Sequence, residues 1–250
     1  MKRNYKFIIS YDGTRFYGWE KQPNKEMTIQ GKLEAVLNKM TDAPSDSPVN
    51  VICAGRTDAG VHARATVANA ILDTDMTEDE IQTYMNTYLP EDISVNEVKI
   101  CSDRFHARYN ALGKTYRYTV WHGASKPVFD RKYVTILDKK PDVSKMREAA
   151  QYLTGTHDYK SFCGNKKMKK STVRCVDAIN IEERGNYIRI YFHGNGFLQN
   201  MVRILTGTLL DVGYGNIPAS HVKEILEACD RQKAGPTAPP QGLCMMKVDY

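Results

Sequence analysis

Two hydrophobic periods alternate over short intervals along this chain, and that alternation restricts the fold more than any other feature. Residues 5–11 (YKFIISY) are rich in β-branched and aromatic side chains and predict a strand, closed by the turn Asp12-Gly13-Thr14. Thr28 is placed to cap a helix, because Ile29, Leu33, Val36, Leu37 and Met40 then recur on one helical face. Residues 49–54 and 66–72 read as strands. Thr77-Glu78-Asp79-Glu80 has the capping-box pattern ahead of Ile81, Tyr84, Met85 and Tyr88. Residues 93–100 read as another strand. The order strand, helix, strand, strand, helix, strand predicts an α+β layer, with helices covering one face of a sheet.

The remainder has the same mixed character. Residues 115–121 (TYRYTVW) alternate as a strand does, and Asp142 is placed to cap a helix carrying Met146, Ala149, Ala150 and Leu153. Residues 173–182 and 187–193 predict a hairpin around Arg184-Gly185-Asn186. Residues 198–212 form the longest apolar helical stretch, a second helix starts at Ser220, and residues 243–248 close as a strand. The element count places a boundary near residue 105, giving halves 1–105 and 106–250.

A chain of 250 residues buries roughly 70–75% of the surface it exposes when unfolded, so it needs neither disulfides nor a metal to hold its core. The six cysteines, Cys53, Cys101, Cys163, Cys175, Cys229 and Cys244, show no CxxC spacing and read as buried reduced thiols. No zinc pattern is present. The N-terminus runs directly into a strand pattern, and no run of eighteen apolar residues occurs. A cytoplasmic protein with no membrane partner is expected. The net charge of +6 and the pI of about 8.9 favour polyanionic partners. Lys166-Lys167-Met168-Lys169-Lys170 is the one strong charge run, readable as a solvated loop or as a loop that contacts phosphates.

Gly55-Arg56-Thr57-Asp58-Ala59-Gly60-Val61-His62-Ala63 is the segment most suited to chemistry. Two glycines bracket an Arg/Asp pair just after a strand, so a carboxylate can be presented on a tight loop by a rigid element behind it. Read by itself, the segment is more simply an ordinary Asp-containing turn.

The wider pattern resembles the TruA family of pseudouridine synthases. GRTDAGVHA resembles the family signature. Tyr11-Asp12-Gly13-Thr14, Gly18-Trp19, Gln22-Pro23-Asn24 and Thr28-Ile29-Gln30 resemble its N-terminal blocks. Phe105-His106-Ala107-Arg108, Lys114-Thr115-Tyr116-Arg117-Tyr118, Gly155-Thr156-His157-Asp158, Gly194-Asn195-Gly196-Phe197-Leu198, Asn200-Met201-Val202-Arg203 and Lys233-Ala234-Gly235-Pro236-Thr237 follow in family order. The resemblance implies a pseudouridine synthase fold: two similar α/β halves with mostly antiparallel sheets and a basic cleft between them. It implies that Asp58 is the nucleophile and that Arg203 pairs with it. Arg56 would help flip the target nucleotide, Tyr116 would stack on its base, and Leu243 would lie against the uracil. It further implies a tRNA substrate modified in the anticodon stem-loop at positions 38, 39 and 40, no cofactor, and a homodimer.

Other readings of single residues stand beside these. His62, His106 and His157 suit structural hydrogen bonding at least as well as proton transfer. Tyr116 and Tyr118 are also readable as strand core on opposite faces. Gly194-Asn195-Gly196 is not a dinucleotide loop, because Gln199 stands where a third glycine is required. The family's usual Gly-Gln-Val run and His-Phe pair are replaced around Ala65, Thr66, Asn69 and Ala70, and a usual tyrosine by Gln199. These departures place substrate selection in question.

Overall fold

A computed structural model describes all 250 residues. In chain order the strands and α-helices are β1 (Lys2–Tyr11), α1 (Ile29–Met40), β2 (Ile52–Cys53), β3 (His62–Asp73), α2 (Glu78–Tyr88), β4 (Ile93–Cys101), β5 (Gly113–His122), β6 (Thr135–Leu137), α3 (Val143–Tyr152), β7 (Gly155–Asp158), β8 (Val173–Arg184), β9 (Tyr187–Gly194), α4 (Met201–Gly213), α5 (His221–Glu227) and β10 (Leu243–Asp249). Packing divides them into two compact units, Met1–Leu112 with Met245–Tyr250, and Gly113–Cys244. Each unit combines antiparallel strands with helices, as the α+β reading expects. No helix is long and apolar enough to cross a membrane.

In the first unit β1 runs antiparallel to both β3 and β4, and β2 adds to β3. Tyr5, Phe7, Ile9 and Tyr11 alternate into the core, where Ile29, Leu33 and Leu37 of α1 and Ile81 and Met85 of α2 are also buried. Each such side chain taken from water contributes about 1.5–3 kcal/mol. Thr28 caps α1 by accepting from Gly31 N–H. Thr77 and Glu80 form the expected capping box on α2: Glu80 N–H donates to Thr77 Oγ1 (3.3 Å), and Thr77 N–H to Glu80 Oε2 (2.7 Å).

In the second unit the antiparallel order is β5-β9-β8-β7, with β6 parallel to β5. Ile188, Ile190 and Phe192 of β9 are buried with Tyr118 and Val120 of β5, while Tyr187, Arg189, Tyr191 and His193 take the other face. Met146 and Ala149 of α3 and Ile204, Leu205 and Leu209 of α4 are buried in the same unit. Asp142 caps α3 through Ser144 and Lys145 N–H.

The structure differs from the sequence reading at several boundaries. The strand expected over 49–54 shrinks to two residues. Val49 N–H goes to Asn38 Oδ1 (2.7 Å) and Val51 N–H to Glu34 Oε1 (3.1 Å), so side chains of α1 take donors that a strand ladder would need. The helix expected from residue 198 starts at Met201, because Asn200 sits in the left-handed region with φ 59°. The units part between Leu112 and Gly113 rather than near 105, and the last six residues return to the first unit. Residues 106–112 are held there by hydrogen bonds. Ala107 N–H donates to Asn69 Oδ1, Tyr250 O–H to Ala107 O, and Leu112 N–H to Asp249 O.

Replacing Thr77 by Ala removes one half of the capping box. The expected loss is about 1 kcal/mol of stability, seen as a lower urea midpoint at unchanged slope.

Candidate active site

Asp58 stands on the loop joining β2 to β3, and that loop is fixed from several sides within the first unit. Ala54 N–H donates to Val67 O (2.8 Å), Trp19 N–H to Thr57 O (3.0 Å) and Gly60 N–H to Phe16 O (3.3 Å). The buried hydroxyls of Tyr11 and Thr57 share a hydrogen bond of 2.7 Å. Val61 N–H turns back onto Asp58 O at 3.2 Å. Gly18 crosses directly over the loop with φ +99°, and a Cβ there would lie 2.7 Å from Thr57 O. Only glycine fits both the backbone angle and the approach. The Asp58 carboxylate is half-buried on this support.

Arg56 is on the same loop but is exposed, and its Nη2 pairs with Glu20 Oε1 at 2.7 Å. An exposed pair of this kind contributes only about 0.2–1 kcal/mol, so the guanidinium can be drawn away by a competing anion. Glu20 drew no attention in the sequence, since the partner of an exposed charge follows from how segment 16–21 folds back over the loop.

His62 is buried at the start of β3. Its Nδ1 is 3.0 Å from Gly13 N and 3.1 Å from Asp12 Oδ1, so it accepts from the first when neutral and pairs with the second when protonated. Either way it fastens the turn after β1 to β3. His106 Nδ1 accepts from Arg108 and Tyr109 N–H, and His157 Nε2 contacts Thr154 O at 2.8 Å. All three histidines have structural partners.

The other three expected site residues belong to the second unit. Arg203 lies in the first turn of α4. Its Nε donates to Ala238 O (2.7 Å) and its Nη1 to Asn200 Oδ1 (3.1 Å), while Ala238 N–H returns to Arg203 O (3.1 Å). The segment before β10 is thereby tied to α4. It is also tied to β5, because Tyr118 O–H donates to Pro239 O at 2.7 Å. Leu243, the first residue of β10, is buried just beyond that segment. Tyr116 is buried with its ring edge-on to Phe197 at 5.2 Å. Tyr116 and Tyr118 are not on opposite faces: residues two apart on a strand share a face, and here both are buried.

Residues 7–110 and 149–250 match the family profile described as tRNA pseudouridine synthase. The chain belongs to that family. It is 42% identical over 247 residues to tRNA pseudouridine synthase A 2 of Bacillus cereus (strain ZK / E33L), covering 99% of both chains. It is 46% identical over 248 residues to tRNA pseudouridine synthase A 1 of Clostridium tetani, covering 99% of this chain and all of the relative. Among solved structures, a Cbf5-Nop10-Gar1 complex aligns at 11% identity and a TM-score of 0.34 over 97% of this chain and 49% of that one, too distant to bear on the argument.

The departures from the synthase pattern are structural at one position. Asn69 is buried, with Nδ2 on Asn4 Oδ1 and Oδ1 accepting from Ala107, so it anchors the segment after β4. The carbonyl of Gln199 accepts from Gly164 N–H, a bond available to any residue there. Thr66 is buried with its hydroxyl unpartnered, and nothing in the structure explains it.

Two outcomes follow for this synthase. Gly18→Ala strains the support of Asp58 and is expected to cost about 1–3 kcal/mol together with activity, checked by denaturation and turnover on the same sample. Burial raises the Tyr118 hydroxyl to about 12, opposed by its Thr135 hydrogen bond and the Arg203 charge. The folded state therefore holds a proton that the unfolded chain releases near 10. The contribution is full below pH 10 and is lost as pH rises toward 12, at about 1.4 kcal/mol per pH unit. Tyr118→Phe is expected to remove that part of the alkaline slope in stability measured from pH 9 upward.

Proposed function

We propose that this chain isomerises uridine to pseudouridine in tRNA, at positions 38, 39 and 40 of the anticodon stem-loop, with Asp58 as nucleophile. The observation that carries the reading is the Asp58 loop, a family signature held rigid on both sides and presenting a half-buried carboxylate. Tritium release, described below, tests it. The tRNA substrate agrees with the relatives' names, and the positions within it follow from the resemblance to the TruA family.

The reaction breaks the N1–C1′ bond of uridine, turns the base, and joins C5 to C1′. The hydrogen at C5 leaves as a proton and N1 gains one, so the reaction is a net isomerisation with no group donated. One carboxylate is enough to start it. Asp58 can act by attack on C1′, by addition to C6, or by removing a proton at C2′.

Arg203 is assigned to the carboxylate. Its guanidinium can hold two oxygens at once. The target nucleotide must leave its stack, at a cost of a few kcal/mol. Arg56 and Tyr116 are assigned to offset that cost, Arg56 by occupying the vacated space and Tyr116 by stacking on the base. Leu243 supplies an apolar contact to the uracil. The proposal includes a cytoplasmic homodimer, checked by light scattering at micromolar concentration, where a monomer would refute that part.

The test is tritium release from tRNA transcript labelled at C5 of uridine. Wild-type protein is expected to release tritium, and Asp58→Ala to reduce turnover by ~10⁴-fold or more, the scale on which loss of a nucleophile acts. No release by wild type on any tRNA would leave an RNA-binding protein without catalysis. Release that survives Asp58→Ala would assign the nucleophile elsewhere.

A further inference from the structure

The charge run Lys166-Lys167-Met168-Lys169-Lys170 has no part in the chemistry above, and its placement in the second unit is specific. At its start, Gly164 N–H donates to Gln199 O at 2.8 Å. Gly164 lies so close to Asn200 that a Cβ would fall 2.6 Å from Asn200 Nδ2. The same Asn200 side chain accepts from Arg203 Nη1. At the other end, Tyr159 N–H donates to Thr172 O (3.1 Å), Thr172 O–H reaches Asp158, and Arg174 Nη1 donates to Ser171 O (2.9 Å). Between these ties, Asn165 Oδ1 accepts from Lys167 N–H and turns the chain.

All four lysines are exposed, whereas Met168 is half-buried. Lys21, Lys99, Lys140, Lys145, Lys223 and Lys247 pair with carboxylates. None of the four in the loop does. Four unneutralised like charges within five residues repel one another, and the fold supplies nothing to offset that repulsion. It holds both ends of the loop still while leaving the charges open, and Gly164 at the loop's start is one side chain, Asn200, away from Arg203.

We infer that this loop is a clamp for backbone phosphates of the RNA next to the target nucleotide. The inference rests on the synthase reading, which places Arg203 at the reacting uridine. Phosphate is the ligand that suits the loop, because ammonium groups on flexible stems act as point charges toward it without base readout. A membrane surface fits less well, since Met168 is drawn inward and no apolar side chain of the loop stands out.

Salt dependence is the discriminating measurement. Each lysine that neutralises a phosphate steepens the fall of log K against log salt by about 0.7–0.9. The full chain carrying Lys→Gln at 166, 167, 169 and 170 is compared with wild type for affinity to a tRNA transcript, over roughly 50 to 200 mM salt. The expected slope is shallower by about 3, with a higher KM in turnover. Lys→Arg at the same four positions is expected to restore the slope. Ethylation interference at phosphates flanking the target is expected with wild type and lost with the Lys→Gln variant.

An unchanged slope would overturn the inference. So would an equal change from Lys→Gln at the exposed Lys126, Lys139, Lys145 and Lys223, which would report net charge alone. Binding to anionic phosphatidylserine vesicles that is lost in the loop variant, with the RNA slope unchanged, would overturn it in favour of a membrane contact. Failure of the synthase reading is separately visible, as absence of tritium release by wild type.

Discussion

The Asp58 loop is held by main-chain hydrogen bonds and by the buried Thr57 hydroxyl, and the rest of the first unit serves that arrangement. Gly18 lies against the Thr57–Ala59 backbone with no room for a Cβ. That approach requires segment 16–19 to return across the loop, which in turn requires the 3-10 turn at Gly13–Arg15 to be fixed. His62 fixes it from the first residue of β3, the strand that follows the loop. The carboxylate is thus supported by a closed circuit: β1, the turn, the crossing segment, the loop and β3. For a nucleophile, the role proposed for Asp58, a misplacement of about 1 Å costs roughly 10²-fold in rate, and a circuit with several independent ties guards against it.

The second unit uses the same principle with different parts. Arg203 and Ala238 exchange bonds through both main chain and side chain, and Tyr118 holds Pro239. An irregular segment is thereby made as fixed as the helix and strand it lies on. Burying Tyr118 is tolerable because its hydroxyl meets both Pro239 O and Thr135. A phenol left unpaired there would cost more than its packing returns.

Much of this was legible in the sequence where a period or a local motif carries it. The apolar faces of α1 and α2, the Thr77 capping box and the β8–β9 hairpin depend on residues within a few positions of one another. The glycine-bracketed segment after residue 54 likewise read as the loop that joins β2 to β3. What escaped depends on contacts distant in sequence. The shortening of β2 is caused by Glu34 and Asn38, 17 and 11 residues away from the donors they take. The start of α4 is set by one left-handed residue, Asn200, which lies inside an apolar periodic run. The strand β7, Gly155–Asp158, has no apolar alternation and exists because β8 offers it a ladder. The shared face of Tyr116 and Tyr118 needed only the two-residue period of a strand.

The two guanidiniums differ in how firmly the chain holds them. Arg203 is half-buried, and its Nε and Nη1 are committed to Ala238 O and Asn200 Oδ1. Both acceptors are themselves held, the first by the return bond to Arg203 O and the second at the helix start. Moving that side chain would break bonds to groups that cannot easily find replacements. Arg56 is exposed and paired only with Glu20, itself exposed. A pair of that kind is screened by salt and costs little to open. Glu20 therefore steadies Arg56 when no anion is present, and the pair opens at little cost, as the role proposed for Arg56 requires. The same logic explains why the four loop lysines have no acidic partners at all: a carboxylate near them would compete with the polyanion for which both ends of the loop are held ready.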